Sequence, residues 1–261
     1  MSRIAVISDI HANLVALHAV MRNIQRRRID AIVCLGDIVG YGPEPAECIA
    51  LVRSHCSLSI RGNHEDALLD PSTLSGFNGA ARMAIAYQRR VLGPTDLSFL
   101  QSLPPSFTIE RRVHAVHDSP VPSERAGGYL RSTGDAARAF RGLDEPVCLV
   151  GHTHVPRFFS TNIAADGGAV EPSQVSLFAP DTGRDGFGDA FELVEGDRCI
   201  VNPGSVGQPR DGDPRASFAV LDLGRGLVEY HRVAYDIDEA ARRSHAAGLP
   251  VHLAERLAVG A

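Results

Sequence analysis

Lysine is missing from the chain altogether: all 26 of its basic residues are arginine. That excludes the lysine of a phosphate-binding loop, a Schiff-base lysine and a lysine general base. Tryptophan is absent as well, and no dense basic run offsets the formal charge of -5, so an extended nucleic-acid surface is not expected, though a short oligonucleotide stays compatible. The five cysteines, Cys34, Cys48, Cys56, Cys148 and Cys199, are odd in number and form no C-x-x-C pair, which points to reduced thiols rather than a disulfide framework or structural zinc. No apolar run approaches the roughly 18 residues of a membrane span, and Met1-Ser2-Arg3 leads straight into Ile4–Ile7 without a signal peptide's cleavage region. A cytoplasmic location and no membrane partner are the expectation.

What is present suits a globular α/β protein. A length of 261 residues at 44% hydrophobic content can bury a substantial core, read here as one domain over residues 1–261. Ile4–Ile7 is a short apolar strand. Leu14, Leu17, Met21 and Ile24 then repeat at helical spacing behind Asn13, which is placed to cap. Ala31–Leu35 is the next strand, a helix follows Pro43 through to Arg53, and Leu58–Ile60 is a third apolar run, so the opening reads βαβαβ. Gly79 to Leu103 is mostly helical. The extended candidates beyond it are Phe107–Glu110, Val113–Val116, Val147–Val150, Arg157–Ser160, Phe191–Val194, Cys199–Val201, Phe218–Leu221 and Val228–Val233. Residues 162–189, rich in Gly, Asp and Pro, read as an inserted loop or surface hairpin in preference to a lid, and 236–261 as a C-terminal helical extension broken at Gly248-Leu-Pro250. Alternating elements followed by strands suggest two packed sheets with helices outside.

Chemistry collects just after the apolar strands. They run into Asp9-Ile-His11, Gly36-Asp37, Gly62-Asn63-His64-Glu65, His117-Asp118 and Gly151-His152-Thr-His154. In open α/β sheets ligands bind at the carboxyl ends of the strands, so these clusters can converge. Gly36, Gly62 and Gly151 each precede a donor, where a residue without Cβ lets the backbone turn. Mixed carboxylate, carboxamide and imidazole donors suit Mn, Fe, Zn, Co or Ni better than Ca or Mg. The donors also exceed what one ion needs, and His152 and His154, two apart, can each bind a different metal if one carboxylate bridges.

In this order and spacing the motifs resemble those of the calcineurin-like metallophosphoesterase superfamily. "GDIVGYGPEP" (Gly36–Pro45) and "NPGSVGQPRDGDPRASFAVLD" (Asn202–Asp222) are similar to its small bacterial phosphodiesterase branch, over roughly residues 1–235. The resemblance implies a four-layer αββα sandwich of two mixed sheets and a dinuclear centre of divalent or mixed-valence ions, with Mn favoured. Metal one would take Asp9, His11, Asp37 and His154. Metal two would take Asp37, Asn63, His117 and His152, with Asp37 bridging, and His64 would stand beside the leaving group. There are two departures: Asp118 stands where the branch commonly has glycine, and the 162–189 segment is long. His114 competes with His117, but Ser119-Pro120 favours the register with His117.

A hydroxide bridging two ions needs no protein nucleophile. Consistent with that, Ser205 in Pro203-Gly-Ser-Val-Gly207 lacks the first glycine of an esterase elbow, and "GYGPEP" fails G-x-G-x-x-G at Pro45. His64 is the candidate general acid, or else a histidine simply held by Asp37. Arg210 and Asn202 are candidates for phosphate contact and loop anchoring, with a plain turn as the simpler reading; His18, His55 and His231 read as structural. The expected function is a phosphodiesterase acting on a small diester such as a nucleotide- or glycerol-type phosphate. Alternatives are a phosphomonoesterase or serine/threonine phosphoprotein phosphatase and, from another class, a non-catalytic metal-binding scaffold.

Overall fold

The computed structural model describes residues 2–121, 128–165, 168–181, 183 and 187–261. β1 (Arg3–Ile7), β2 (Ala31–Cys34) and β3 (Leu58–Ser59) run parallel, crossing over through α1 (Leu14–Gln25) and α2 (Pro45–His55). Helices α3 (Asn63–Leu69), α4 (Gly79–Val91) and α5 (Pro94–Ser102) lead to the antiparallel pair β4 (Ser106–Ile109) and β5 (Val113–Val116). After α6 (Thr133–Phe140), β6 (Val147–Leu149) joins β5 in parallel. The remaining strands are β7 (Arg157–Thr161), β8 (Ser176–Phe178), β9 (Phe187–Glu192), β10 (Arg198–Asn202), β11 (Ala216–Asp222) and β12 (Leu227–Val233), before α7 (Ile237–Ala246) and α8 (Val251–Glu255). One mixed sheet has the order β3-β2-β1-β11-β12-β9 and the other β4-β5-β6-β10-β7-β8.

Side-chain alternation explains the layering. On β1, Ile4 and Val6 face the second sheet and pack in one cluster with Val113, Leu149 and Val201, while Ala5 and Ile7 face outward beneath Leu17 and Val20 of α1. Across the sandwich, Leu149 and Val201 face inward, and Cys148 and Ile200 face Ala136 and Phe140 of α6. Strands covered on both faces read as unbroken apolar runs, which is why these segments stood out without a polar alternation. The result is the expected αββα sandwich. Asn13 caps α1, its Oδ1 accepting from Ala16 N–H at 3.1 Å, and the five cysteines are free. Among the described residues no helix is long and apolar enough to cross a membrane.

Three expectations need correction. The second helix begins at Pro45 rather than after Pro43, because Gly42 and Glu44 spend their N–H groups on the carbonyls of His11 and Ala12, outside any helix. The strand expected at Phe191–Val194 is Phe187–Glu192; Val194 is exposed and closes a turn with Asp197. The described strands of the 162–189 segment do not pair with each other as a hairpin. Its β8 pairs with β7 at the edge of one sheet, whereas β9 pairs with β12 at the edge of the other.

Candidate metal centre

Both sheets turn the carboxyl ends of their parallel strands toward one end of the sandwich. β1 runs out into Asp9, β2 into Asp37, β3 into Asn63, β5 into His117 and β6 into His152 and His154. The loops brace one another through the backbone: Asp9 N–H donates to Gly36 C=O, His11 N–H to Asp37 C=O, Gly151 N–H to His117 C=O and Gly207 N–H to Asp9 C=O. Holding them so close strains the chain. Asp9, His11, Asp37, His152 and His154 all have φ between 49° and 65°, a region that costs a non-glycine residue on the order of 1–3 kcal/mol. Positive φ at Gly36, +92°, is the turning role expected of it. Gly62 and Gly151 serve a different need, room: a Cβ would sit 2.2 Å from Asp37 Oδ1 at the first and 2.1 Å from Ser8 Oγ at the second.

Two overlapping donor sets result. Asp9, His11, Asp37 and His154 bring ligand atoms within 4.8 Å of one another, and so do Asp37, His117 and His152. His11 Nε2 lies 3.0 Å from His154 Nε2 and 3.6 Å from Asp37 Oδ2, His154 Nε2 lies 3.3 Å from Asp9 Oδ1, and His117 Nε2 lies 3.3 Å from Asp37 Oδ2. Such spacings suit donors about 2.0–2.2 Å from a shared cation. The imidazoles are oriented from behind: Nδ1 of His11 bonds Val39 C=O at 2.9 Å, that of His117 bonds Leu35 C=O at 2.7 Å, and that of His154 bonds Gln208 C=O at 2.6 Å. Each such bond aims Nε2 at the cluster. Asn63 Oδ1 is buried with no hydrogen-bond partner among the described residues, which fits the donor that a bound cation would use.

The charges of the two sets are coupled through Asp37 as well. Burial, with Asp37 nearby, pushes Asp9 up to about 7 despite the opposing pull of His117. Burial would raise Asp37 too, but His117, His64 and His11 around it hold it well below the usual carboxylate range. His11 and His154 are pushed well below the ordinary histidine value, chiefly by burial, so their lone pairs are available. Burial lowers His117, yet the Asp37 carboxylate overcomes it and raises the group to about 10, so without a metal His117 is the cation paired to Asp37. In front of the cluster opens a cleft of about 450 Å³ lined by Asp37, Tyr41, Asn63, His64, Phe77 and Arg210, among others.

A family model for the calcineurin-like phosphoesterase superfamily domain matches residues 2–226. The chain belongs to this superfamily. It is 36% identical to an uncharacterised protein of Methanocaldococcus jannaschii, over 99% of this chain and 98% of the other. Among solved structures it is similar to a metallophosphoesterase from Sphaerobacter thermophilus, with a TM-score of 0.83 and 42% identity covering 100% of this chain and 99% of that one. In fold it is similar to a hypothetical protein from Pyrococcus horikoshii, with a TM-score of 0.76 at 21% identity over 100% of this chain and 99% of that one.

Within this metallophosphoesterase the remaining candidates separate cleanly. His64 lies beside the cluster: its N–H donates to Asp37 Oδ1 at 2.9 Å, and its ring packs edge-on to Phe77. Arg210 lines the cleft, with its guanidinium on the neutral Oε1 of Gln208, at 2.7 Å from Nη2, and no carboxylate in salt-bridge range among the described residues. Asn202 is buried away from the cleft. Its Nδ2 donates to Gly151 C=O at 2.7 Å and Thr153 Oγ1 at 3.0 Å, anchoring the loop that carries His152 and His154, while its Oδ1 accepts from Gly204 N–H in a turn of its own, and it is not among the residues lining the cleft. Ser205 is fully buried, donating to Asp9 C=O and accepting from Gln208 N–H, which leaves it no part as a nucleophile. His114 contacts Thr108 on the neighbouring strand, outside both donor sets, so the register with His117 stands. His18 and His55 are exposed, and His231 stacks on Phe218. No described residue of 162–189 lines the cleft, so the lid reading has no support there.

Glu65 is the residue to which the sequence assigned no task. Fully buried, its carboxylate accepts from Asp37 N–H (2.8 Å), Val39 N–H (3.0 Å) and Gly62 N–H (2.8 Å), tying the second and third loops into one unit. The signal for it was available: glutamate three residues after Gly62, the helix cap, is the spacing of a capping box.

Proposed function

We propose that the chain is a dinuclear metal-dependent phosphodiesterase. Asp9, His11, Asp37 and His154 would hold one ion and Asp37, Asn63, His117 and His152 the other, with Mn the first choice among the borderline metals that imidazole favours. The observation that carries this reading is that both donor sets converge on one oxygen, Asp37 Oδ2, while Asp37 Oδ1 is engaged by the His64 N–H. When bound, such ions supply an activated hydroxide at neutral pH and positive charge for the phosphoryl oxygens. The protein's own part is to hold the ester in line and to support the departing oxygen.

His64 is the group for that last task. Its backbone is tied to Asp37, and Gly40 leaves just enough room for it, since a Cβ there would lie 2.0 Å from His64 Nδ1. Burial brings His64 down to about 4 against the raising pull of Asp37, so the free enzyme presents a neutral imidazole. A neutral ring can donate its N–H as a hydrogen bond to the leaving oxygen as negative charge develops there. To serve as general acid it must first take up a proton from solvent, which the negative charge of the bound phosphoester favours, and then pass that proton to the departing alkoxide. Among the described residues Arg210 is the only arginine lining the cleft, and Asp66 and Asp118 line it too. That balance supports a singly charged diester over a doubly charged monoester, and the cleft has room for a second ester group.

The test is hydrolysis of a nitrophenyl phosphodiester against the matching monoester by chelated protein reloaded with Mn, with Asp37→Asn as the control. Preference for the diester and an inert control are expected. Preference for the monoester would move the assignment to a phosphatase, and metal-independent or absent turnover of both would reject the catalytic reading in favour of a metal-binding scaffold.

A further inference from the structure

Tyr129 belongs to no motif, yet it stands at the mouth of the cluster. Its ring is stacked on that of His152, with centroids 4.1 Å apart and planes 23° from parallel, and the Arg131 guanidinium covers the opposite face at 4.2 Å from the ring centroid. Both faces are therefore taken, so the ring is not a free platform for a planar ligand. Gly128, directly before it, is closely packed too. Gly128 has φ +50° and packs so closely on Asp118 that a Cβ would lie 2.7 Å from Asp118 Oδ2, which gives the aspartate after His117 a part in seating Tyr129.

A clamped ring leaves the phenol as the only part with freedom to act. Tyr87 and Tyr230 donate their hydroxyls to the carbonyls of Pro43 and Arg157, at 3.0 and 2.7 Å. Tyr41 and Tyr129, the two tyrosines of the cleft, donate to no described residue. The Arg210 guanidinium lies 5.6 Å from the Tyr41 ring centroid, and Tyr129, though raised chiefly by burial, also senses Arg210 and Tyr41. Two phenols and one guanidinium without an acidic partner thus border the same space. Donors without acceptors at a phosphoesterase site call for oxygens that the ions leave uncovered.

We propose that Tyr129 is a substrate-binding residue whose phenol donates a hydrogen bond to a non-bridging oxygen of the bound phosphoester, with Tyr41 and Arg210 completing the grip. This rests on the phosphodiesterase reading for its substrate. It assigns the Arg131–Tyr129–His152 stack the task of holding that donor rigid, which removes most of the entropy cost of making the bond.

Tyr129→Phe keeps the stack and deletes only the hydroxyl. In Mn-loaded protein it should lower kcat/KM about 10- to 100-fold, equally for nitrophenolate and alkoxide leaving groups, and weaken binding of inorganic phosphate, measured by calorimetry, by a similar factor. Metal content should stay that of the unaltered protein. If Tyr129→Phe binds phosphate and turns over diesters within about twofold of the unaltered protein while Tyr129→Ala loses metal, the ring alone matters and the donor assignment is overturned. Absence of turnover in the unaltered protein would sink the phosphodiesterase reading, and the ratio of phosphate affinities would still decide the part of Tyr129.

Discussion

Asp9 and His11, 0–1% exposed, lie behind the cleft lining and only His154 of their set, at 2%, reaches it, whereas in the other set His152, at 7%, and the half-buried Asn63 line the cleft and His117, at 4%, sits behind them. The two donor sets also differ in charge. The first offers two neutral imidazoles beside a carboxylate raised by burial, and the second a histidine that keeps its proton by pairing with Asp37. One oxygen, Asp37 Oδ2, belongs to both. The comparison teaches that the sets need not bind alike: the first is the more enclosed and sheds its proton from Asp9 by about pH 7, and the second contributes more of the cleft lining and must expel the proton of His117 well above that.

Removing the shared group should do the most damage. Asp37→Asn is expected to lower diester turnover by at least about 1000-fold and to cost affinity for both ions, visible as lost metal content after dialysis; retention of two ions would show that the sets do not depend on a common carboxylate. Next comes His64→Ala, which should slow release of an alkoxide by about 100-fold or more and of nitrophenolate far less. Equal slowing of the two would remove its role as proton donor. Asn63→Ala acts on the second set alone, so a metal titration should show one ion weakened about 10- to 100-fold and the other unchanged.

The gentlest probe is pH. Below about 10 the metal-free His117 is protonated, and ligation has to release that proton, so the second ion's apparent affinity should climb about tenfold per pH unit from 7 to 9. Asp9, raised to about 7, imposes the same slope on the first ion only up to about pH 7, since His11 and His154 are already neutral. Parallel slopes for the two ions above pH 7 would erase the difference between the sets.

Much of this was legible in the sequence because donors that follow apolar strands have nowhere to go but the sheet's carboxyl edge. Asp9, Asp37, Asn63, His117 and His152 all lie within four residues of a strand end. What stayed hidden lies where local pattern carries no signal. β8, three residues, and β9 are edge strands in or beside a Gly- and Asp-rich stretch, and only pairing with β7 and β12 distinguishes them from loop. Tyr129 comes from a connection with no period, and its contact with His152 is tertiary. For Asn202 loop anchoring stood beside phosphate contact and a plain turn, because an amide that anchors a loop and one that touches substrate look alike in a sequence, and only its bonds to Gly151 and Thr153 distinguish them.

The most direct measurement is anomalous scattering from crystals of the Mn-loaded protein. The account predicts two peaks astride Asp37, one enclosed by Asp9, His11 and His154 and the other touching Asn63, His117 and His152. A single peak, or a second one away from Asn63 and His117, would contradict it.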